Sequence, residues 1–240
     1  MEICEEKIRT AMLIGAGAVE RLKNAHVAVF GIGGVGSYIC EALARAGVGA
    51  IDLFDNDTVS LSNINRQLVA LHSTVGQYKT EVMKARILDI DPNCHVTVHN
   101  VFYLPENAHL YPLDGYDYIA DAIDTVSAKI TLAVRAKEAG VPLISSMGTG
   151  NKLDPSRLCV TDLSKTEGCP LARVMRRELK SRGITHLKVV YSSEPPVTPP
   201  DDAPSAERLH GRTPPASISF VPSAAGLMLA GEIIRDLIKE

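Results

Sequence analysis

Five short apolar runs, regularly spaced and separated by helical patterns, constrain this chain more than any other feature. HVAVFG (26–31), GAIDLFD (49–55), HVTVHNV (95–101), YDYIADA (116–122) and VPLISSM (141–147) are short, β-branched and mostly apolar on both faces. Strands buried on both sides of a parallel sheet read this way. Between them, 35–46, 76–90 and 125–139 carry helical periodicity, the last closing at Gly140. Alternation of this kind predicts an α/β fold: a Rossmann-like, doubly wound, mainly parallel sheet with helices on both faces. Beyond residue 150, RLCVTDL (157–163) and HLKVVYS (186–192) predict further strands flanking a basic helix at 170–182. SISFVP predicts a last strand, leading into a helix over 223–239. The segment 192–217 is rich in proline, serine and charge, and a mobile crossover loop is expected there. The 240 residues are expected to form a single domain, with a nucleotide-binding part (1–150) and a substrate-side part (151–240).

Hydrophobic residues make up 45% of the chain and charged residues 22%, ordinary for a globular protein. No apolar run approaches the roughly 20 residues of a membrane helix. The acidic start, MEICEEKIRTAM, lacks the basic-then-apolar layout of a signal peptide, so a cytoplasmic protein and no membrane partner are expected. The five cysteines form no C-x-x-C pair, which argues against a disulfide scaffold and a structural zinc site. A net charge of −3 gives no global attraction to nucleic acid, so any such partner must meet a local basic patch.

Between the first strand and the next helix lies Gly31-Ile32-Gly33-Gly34-Val35-Gly36. Glycines allow tight turning and close approach of phosphate oxygens, and the following helix points its positive end at them. Asp55, ending the second strand, stands where a ribose-binding carboxylate belongs. By itself this motif leaves a nicotinamide or flavin dinucleotide as the commonest reading.

The downstream residues shift the balance. DNDTVSLSNINRQLVALH (55–72) carries Asp57, Asn63, Asn65, Arg66 and Gln67, and Lys79 follows. A dinucleotide pyrophosphate is not cleaved and can be held by backbone amides. A nucleoside triphosphate attacked at its α-phosphorus calls for fixed cations and a carboxylate-held magnesium ion. Arg66 and Lys79 can be the cations. Asp121 and Asp124, in DAIDT at the end of the fourth strand, can be the metal carboxylates. Together these residues favour a triphosphate.

GIGGVG, D-N-D-T-V, S-N-I-N-R-Q, G-x-x-K and D-A-I-D together resemble the adenylation site of the ubiquitin-activating-type superfamily. The similarity runs from about residue 9 to 150. It implies ATP and Mg2+, with Gly31, Gly33, Gly34 and Gly36 lining the phosphates and Asp55 on the ribose. It also implies Asn63, Arg66, Gln67 and Lys79 around the triphosphate and Asp124 as the magnesium ligand. Arg9 matches an arginine that dimers of this superfamily donate to the partner's active site, so the resemblance implies a homodimer.

Sulfur-carrier activators of this superfamily typically hold zinc through two C-x-x-C pairs, absent here, and no room exists for a catalytic-cysteine domain. The second half, NKLDPSRLCVTDLSKTEGCPLARVMRRELKSRGI followed by KVVYSSEPP and SFVPSAAGLMLAGEIIRDLI, is similar to the tRNA threonylcarbamoyladenosine dehydratase family. That resemblance implies a tRNA substrate. The threonyl carboxylate would be adenylated, and the acyl group would then close on its own carbamoyl nitrogen or oxygen with loss of AMP. Ring closure supplies its own nucleophile, so no enzyme thioester is required.

Cys169, before Pro170, has two readings, a thiolate stabilised at a helix start or simply a small residue there, the second favoured, and Cys40 and Cys159 fall on core faces. Arg173, Arg176, Arg177, Lys180 and Arg182 crowd the basic helix, as a solvated face or as a tRNA-phosphate patch. Two further functions stay open: adenylation of the terminal glycine of a ubiquitin-like sulfur-carrier partner, and a non-catalytic nucleotide-binding module.

Overall fold

In β1 (His26–Phe30), alternate side chains face opposite ways, as the pleat dictates. Val27 and Val29 join one hydrophobic cluster, while Ala28 and Phe30 join a second on the other side of the sheet. Each face therefore needs its own cover, and the computed structural model, which describes residues 3–198, 200–204 and 215–239, supplies it. The strands β2 (Ala50–Phe54), β3 (His95–His99), β4 (Tyr118–Asp121), β5 (Leu143–Ser146), β6 (Leu158–Asp162) and β7 (Lys188–Ser192) join β1 in one sheet ordered β3-β2-β1-β4-β5-β7-β6. All pairings are parallel except β6 with β7. The doubly wound, mainly parallel sheet expected from the alternation is what forms.

Seven helices cover it among the described residues. These are α1 (Ile8–Ile14), α2 (Ala16–Asn24), α3 (Gly36–Ala46), α4 (Lys79–Ile90), α5 (Val126–Ala139), α6 (Pro170–Lys180) and α7 (Phe220–Leu237). On one face Ile39 and Leu43 of α3, Met83 and Ile87 of α4, and Leu229 and Ile233 of α7 bury the valines of β1. On the other, Leu132 and Ala136 of α5 meet Phe30, while Met175 and Leu179 of α6 build an adjoining cluster. The chain winds outward from β1 to β3, then returns to β4 on the other flank of β1. Open α/β sheets bind ligands at such a reversal, outside the carboxyl ends of the strands.

One expectation is corrected, and one pair of helices is new. SISFVP is not a strand: α7 already begins at Phe220, with Pro222 in its first turn, where a missing N–H costs no intrahelical bond. The helices α1 and α2, separated by Gly15 at φ +84°, precede the first strand and had no counterpart in the sequence reading. Buried Lys7 fixes them. Its Nζ donates to the Ala44 carbonyl at 3.1 Å and lies 3.2 Å from Asp91 Oδ2, which caps the C-terminal end of α3.

The expected mobile loop lies partly outside the described residues. Its described flanks are tied down: the buried Glu194 carboxylate accepts from the amides of Leu153 and Asp154, each at 3.0 Å from the nearer oxygen. Among the described residues no helix is long and apolar enough to cross a membrane.

Candidate active site

The glycine turn sits at the reversal point between β1 and β4. Phe30 pairs with Asp121, and the Ala122 amide donates to the Phe30 carbonyl at 2.8 Å. Gly31, at φ +88°, lies so close that a Cβ there would come 2.7 Å from the Ala122 oxygen. A Cβ on Gly36 would come 1.7 Å from the Gly31 oxygen. These two glycines close the turn on itself. Gly33 and Gly34 face outward to the candidate ligand residues: a Cβ on Gly33 would lie 3.8 Å from Gln67 Nε2, and one on Gly34 3.4 Å from Arg66 Cγ. No side chain caps the start of α3, which leaves its positive end for an anion.

Asp55 holds this turn from the next strand. Its Oδ2 accepts the Ile32 amide at 2.6 Å and its Oδ1 the Asp57 amide at 2.8 Å. Burial raises the Asp55 carboxyl above its ordinary range, with the Lys79 ammonium pulling against that shift. Lys79 opens α4 and is buried, with Nζ 2.7 Å from Asp57 Oδ2. The segment before Arg66 is folded by its own side chains: Asn63 Oδ1 accepts the Ser60 amide at 3.1 Å, and the Asn63 carbonyl accepts the amides of Arg66 and Gln67. Asn63 therefore shapes the loop that presents Arg66. Burial lowers the Arg66 guanidinium from its ordinary value. Gln67 is buried beside Gly33, and its Oε1 has no hydrogen-bond partner among the described residues. An orphaned buried acceptor fits a ligand that brings donors, as ribose hydroxyls and an adenine amine do.

The two aspartates of DAID part company. Asp121 is completely buried: Oδ1 accepts the Ile123 amide at 3.1 Å, Oδ2 accepts Ser145 Oγ at 2.6 Å, and Lys129 Nζ stands 2.9 Å from Oδ2. Both oxygens of Asp121, expected to bind the nucleotide or the metal, are engaged by the protein itself beneath the loop. Asp124, exposed at the lip of the same loop, stays available. Among the described residues no group of three or more metal-ligating side chains gathers. The exposed Asp124 carboxylate is a hard oxygen donor of the kind Mg2+ takes together with substrate phosphates and water.

Arg9 is not brought to this site. It is exposed on α1, two residues beyond Lys7, which is anchored at the opposite end of α3 from the glycine turn. Arg176 leaves the basic face of α6 and turns inward, donating to the Thr166 carbonyl at 2.6 Å. Cys169 is buried at the start of α6 and its sulfur accepts from the Ala172 amide at 3.5 Å. The sequence reading missed Lys129 and Ser145. A lysine on a helix three to five residues past the acidic loop was the available signal.

The ThiF family matches residues 6–240. The chain belongs to the ThiF family. Among ThiF-family proteins it is 45% identical over 239 residues to the tRNA threonylcarbamoyladenosine dehydratase of Bacillus subtilis, covering 97% of this chain and 94% of that protein. It is 44% identical over 201 residues to the Escherichia coli protein of that name, covering 80% and 75% respectively. The crystal structure of E. coli tRNA N6-threonylcarbamoyladenosine dehydratase in complex with ATP superposes with a TM-score of 0.88 at 36% identity, over 99% of this chain and 97% of that one. The resemblance drawn from the motifs and from the second half of the sequence is thereby borne out at the level of the dehydratase branch.

Proposed function

We propose that this ThiF-family protein is an ATP-dependent tRNA threonylcarbamoyladenosine dehydratase. The observation that carries this reading is the near-complete match, in sequence and in fold, to dehydratases of that name, one of them solved with ATP.

In the reaction, a carboxylate oxygen of the threonyl group attacks the α-phosphorus of ATP and pyrophosphate leaves. Arg66 and Lys79 offset the charge that builds on the phosphate oxygens. Asp57, now paired with Lys79, sits where it adjusts that lysine's position. Asp55 and Gln67 orient the ribose side, and the uncapped start of α3 receives phosphate. Asp124 would hold Mg2+, which would supply further neutralisation of the triphosphate. The carbamoyl nitrogen or oxygen then attacks the acyl carbon, AMP departs with the carboxylate oxygen, and the attacking group loses a proton. Both partners of that second step belong to one nucleoside, so closure benefits from a large effective molarity.

Arg9 acts in the partner's site of a homodimer. An 11-residue α3 spans about 16 Å from the glycine turn to the end that Lys7 caps, which keeps Arg9 from its own site. Met12 and Leu13, at 82% and 86% exposure on the same short helix, are apolar surface suited to a second copy. The exposed cations Arg173, Arg177, Lys180 and Arg182 serve the tRNA backbone, and Arg176 does not.

Incubation of the purified protein with ATP, Mg2+ and tRNA bearing threonylcarbamoyladenosine tests this. Mass analysis of the nucleosides is expected to show loss of one water from that base, with AMP formed in equal amount. Formation of AMP only with a ubiquitin-like carrier protein, and none with tRNA, overturns it.

A further inference from the structure

Asn151 is the one non-glycine residue with positive φ among the described residues, at +56°. It follows Gly150, where a Cβ would come 2.6 Å from Pro215 Cβ, so two chain segments touch there with nothing between them. Three polar groups of Asn151 tie it to neighbouring segments. Its carbonyl accepts the Val197 amide at 2.8 Å, its amide donates to the Ala216 carbonyl at 2.7 Å, and its Oδ1 accepts the Ala216 amide at 2.8 Å. Asparagine is among the few residues that tolerate left-handed backbone, and residues held this way cluster where a local geometry is enforced.

The segment so gripped leads to the phosphate site. The Ser217 carbonyl, one residue past Ala216, accepts from Asn65 Nδ2 at 3.1 Å. Asn65 Oδ1 in turn accepts from Arg66 Nη1 at 2.8 Å, and the same Nη1 donates to the Ser62 carbonyl at 3.1 Å. Only this orientation of the Asn65 amide pairs a donor with an acceptor at both ends. Pro222, further along the same segment, meets Gly34, where a Cβ would lie 3.3 Å from Pro222 Cβ and 3.4 Å from Arg66 Cγ.

We infer that Asn151 is a positioning residue for ATP: through Ala216, Ser217 and Asn65 it sets the orientation of the Arg66 guanidinium. The chain of contacts links the substrate-side part of the molecule to the phosphate-binding arginine. The inference rests on the reading of Arg66 as a phosphate ligand, proposed above.

The test is a double-variant cycle on ATP affinity, measured by calorimetry with ATP and Mg2+ in the absence of tRNA, on proteins whose melting shows an intact fold. Asn151→Ala and Asn65→Ala are each expected to weaken ATP binding about tenfold, because a contact acting through one partner couples to it. In an Arg66→Ala background the same two changes are expected to alter affinity less than about twofold. Asn151→Asp keeps the Oδ1 acceptor and tolerates left-handed backbone, so it is expected to bind ATP within about twofold of the unaltered protein. Asn65, exposed on a loop, keeps the test available if Asn151→Ala fails to fold. Equal losses in both backgrounds, or none in the Asn65→Ala protein, overturn the inference while leaving the site intact. Unchanged ATP binding by Arg66→Ala alone overturns the premise instead.

Discussion

Lys129 Nζ lies 2.9 Å from Asp121 Oδ2, and both side chains are completely buried beneath the loop that carries Asp124. Among the described residues the ammonium makes no hydrogen bond, so Asp121 is its compensation as a charge. Removing one member of a buried pair strands the other in an apolar interior, which costs about 3–5 kcal/mol. Lys129→Met is expected to lower unfolding stability by that order in urea titration. Adding Asp121→Asn in the same chain is expected to recover part of it. A neutral Lys129→Met substitution would show that the pair contributes nothing.

Arg66→Ala and Lys79→Ala are each expected to reduce dehydratase turnover at least about a hundredfold, as loss of a charge-stabilising group does in comparable sites. Asp124→Ala is expected to lose activity that high Mg2+ partly restores. Steady-state rates across a magnesium series check all three. Near-normal rates throughout would contradict adenylation at this site.

Cys169→Ser is expected to retain most of the activity with tRNA. The sulfur is buried and accepts the Ala172 amide at 3.5 Å, which is a capping arrangement that a serine hydroxyl reproduces. Turnover of the purified variant, beside a melting curve, decides it. An inactive but folded protein would point to a covalent acyl-enzyme.

Arg9→Ala and Lys79→Ala proteins, each inactive alone, are expected to complement on mixing. If Arg9 serves the partner's site, a mixed dimer has one site with neither lesion. Random exchange then restores about a quarter of the unaltered rate. Demonstrated subunit exchange without recovery would place Arg9 outside the partner's chemistry, and a monomer by light scattering would remove the dimer itself.

Asp52 gathers three partners away from the site: His26 Nε2 at 2.9 Å, His99 Nε2 at 3.0 Å and the Tyr116 hydroxyl at 2.8 Å. Burial by itself would raise its carboxyl, but hydrogen bonds from His99, His26 and Tyr116 win and hold it well below the usual carboxylate range. A depressed folded-state value stabilises the protein above the unfolded carboxyl's pKa of about 3.9, and that stability drains as pH falls further. Urea midpoints are expected to fall between pH 5 and pH 3 more steeply for the unaltered protein than for Asp52→Asn. Parallel pH profiles would deny Asp52 this role.

Much of this molecule was legible in its sequence because the signals are local. The strand-turn-helix around Gly31 and Gly36, the acid at Asp55 and the cations at Arg66 and Lys79 follow from residue type and spacing along a chain whose alternation dictates a doubly wound sheet. Local pattern failed where a distant partner decides the outcome. SISF alternates like a strand, yet Phe220 starts a helix whose Leu229 and Ile233 are buried in the cluster that α3 also builds. Arg176 reads as one more surface cation until the Thr166 carbonyl claims it. Asp121 and Asp124 are equivalent on paper, three residues apart in one acidic loop. Only the closing of α5 and β5 over that loop separates them, because Lys129 and Ser145 bury one carboxylate and leave the other in water. The sequence by itself determined the sheet, the turn and the chemistry class. Tertiary structure decided which charges remain free to act, since desolvation and pairing depend on neighbours that no spacing along the chain reveals.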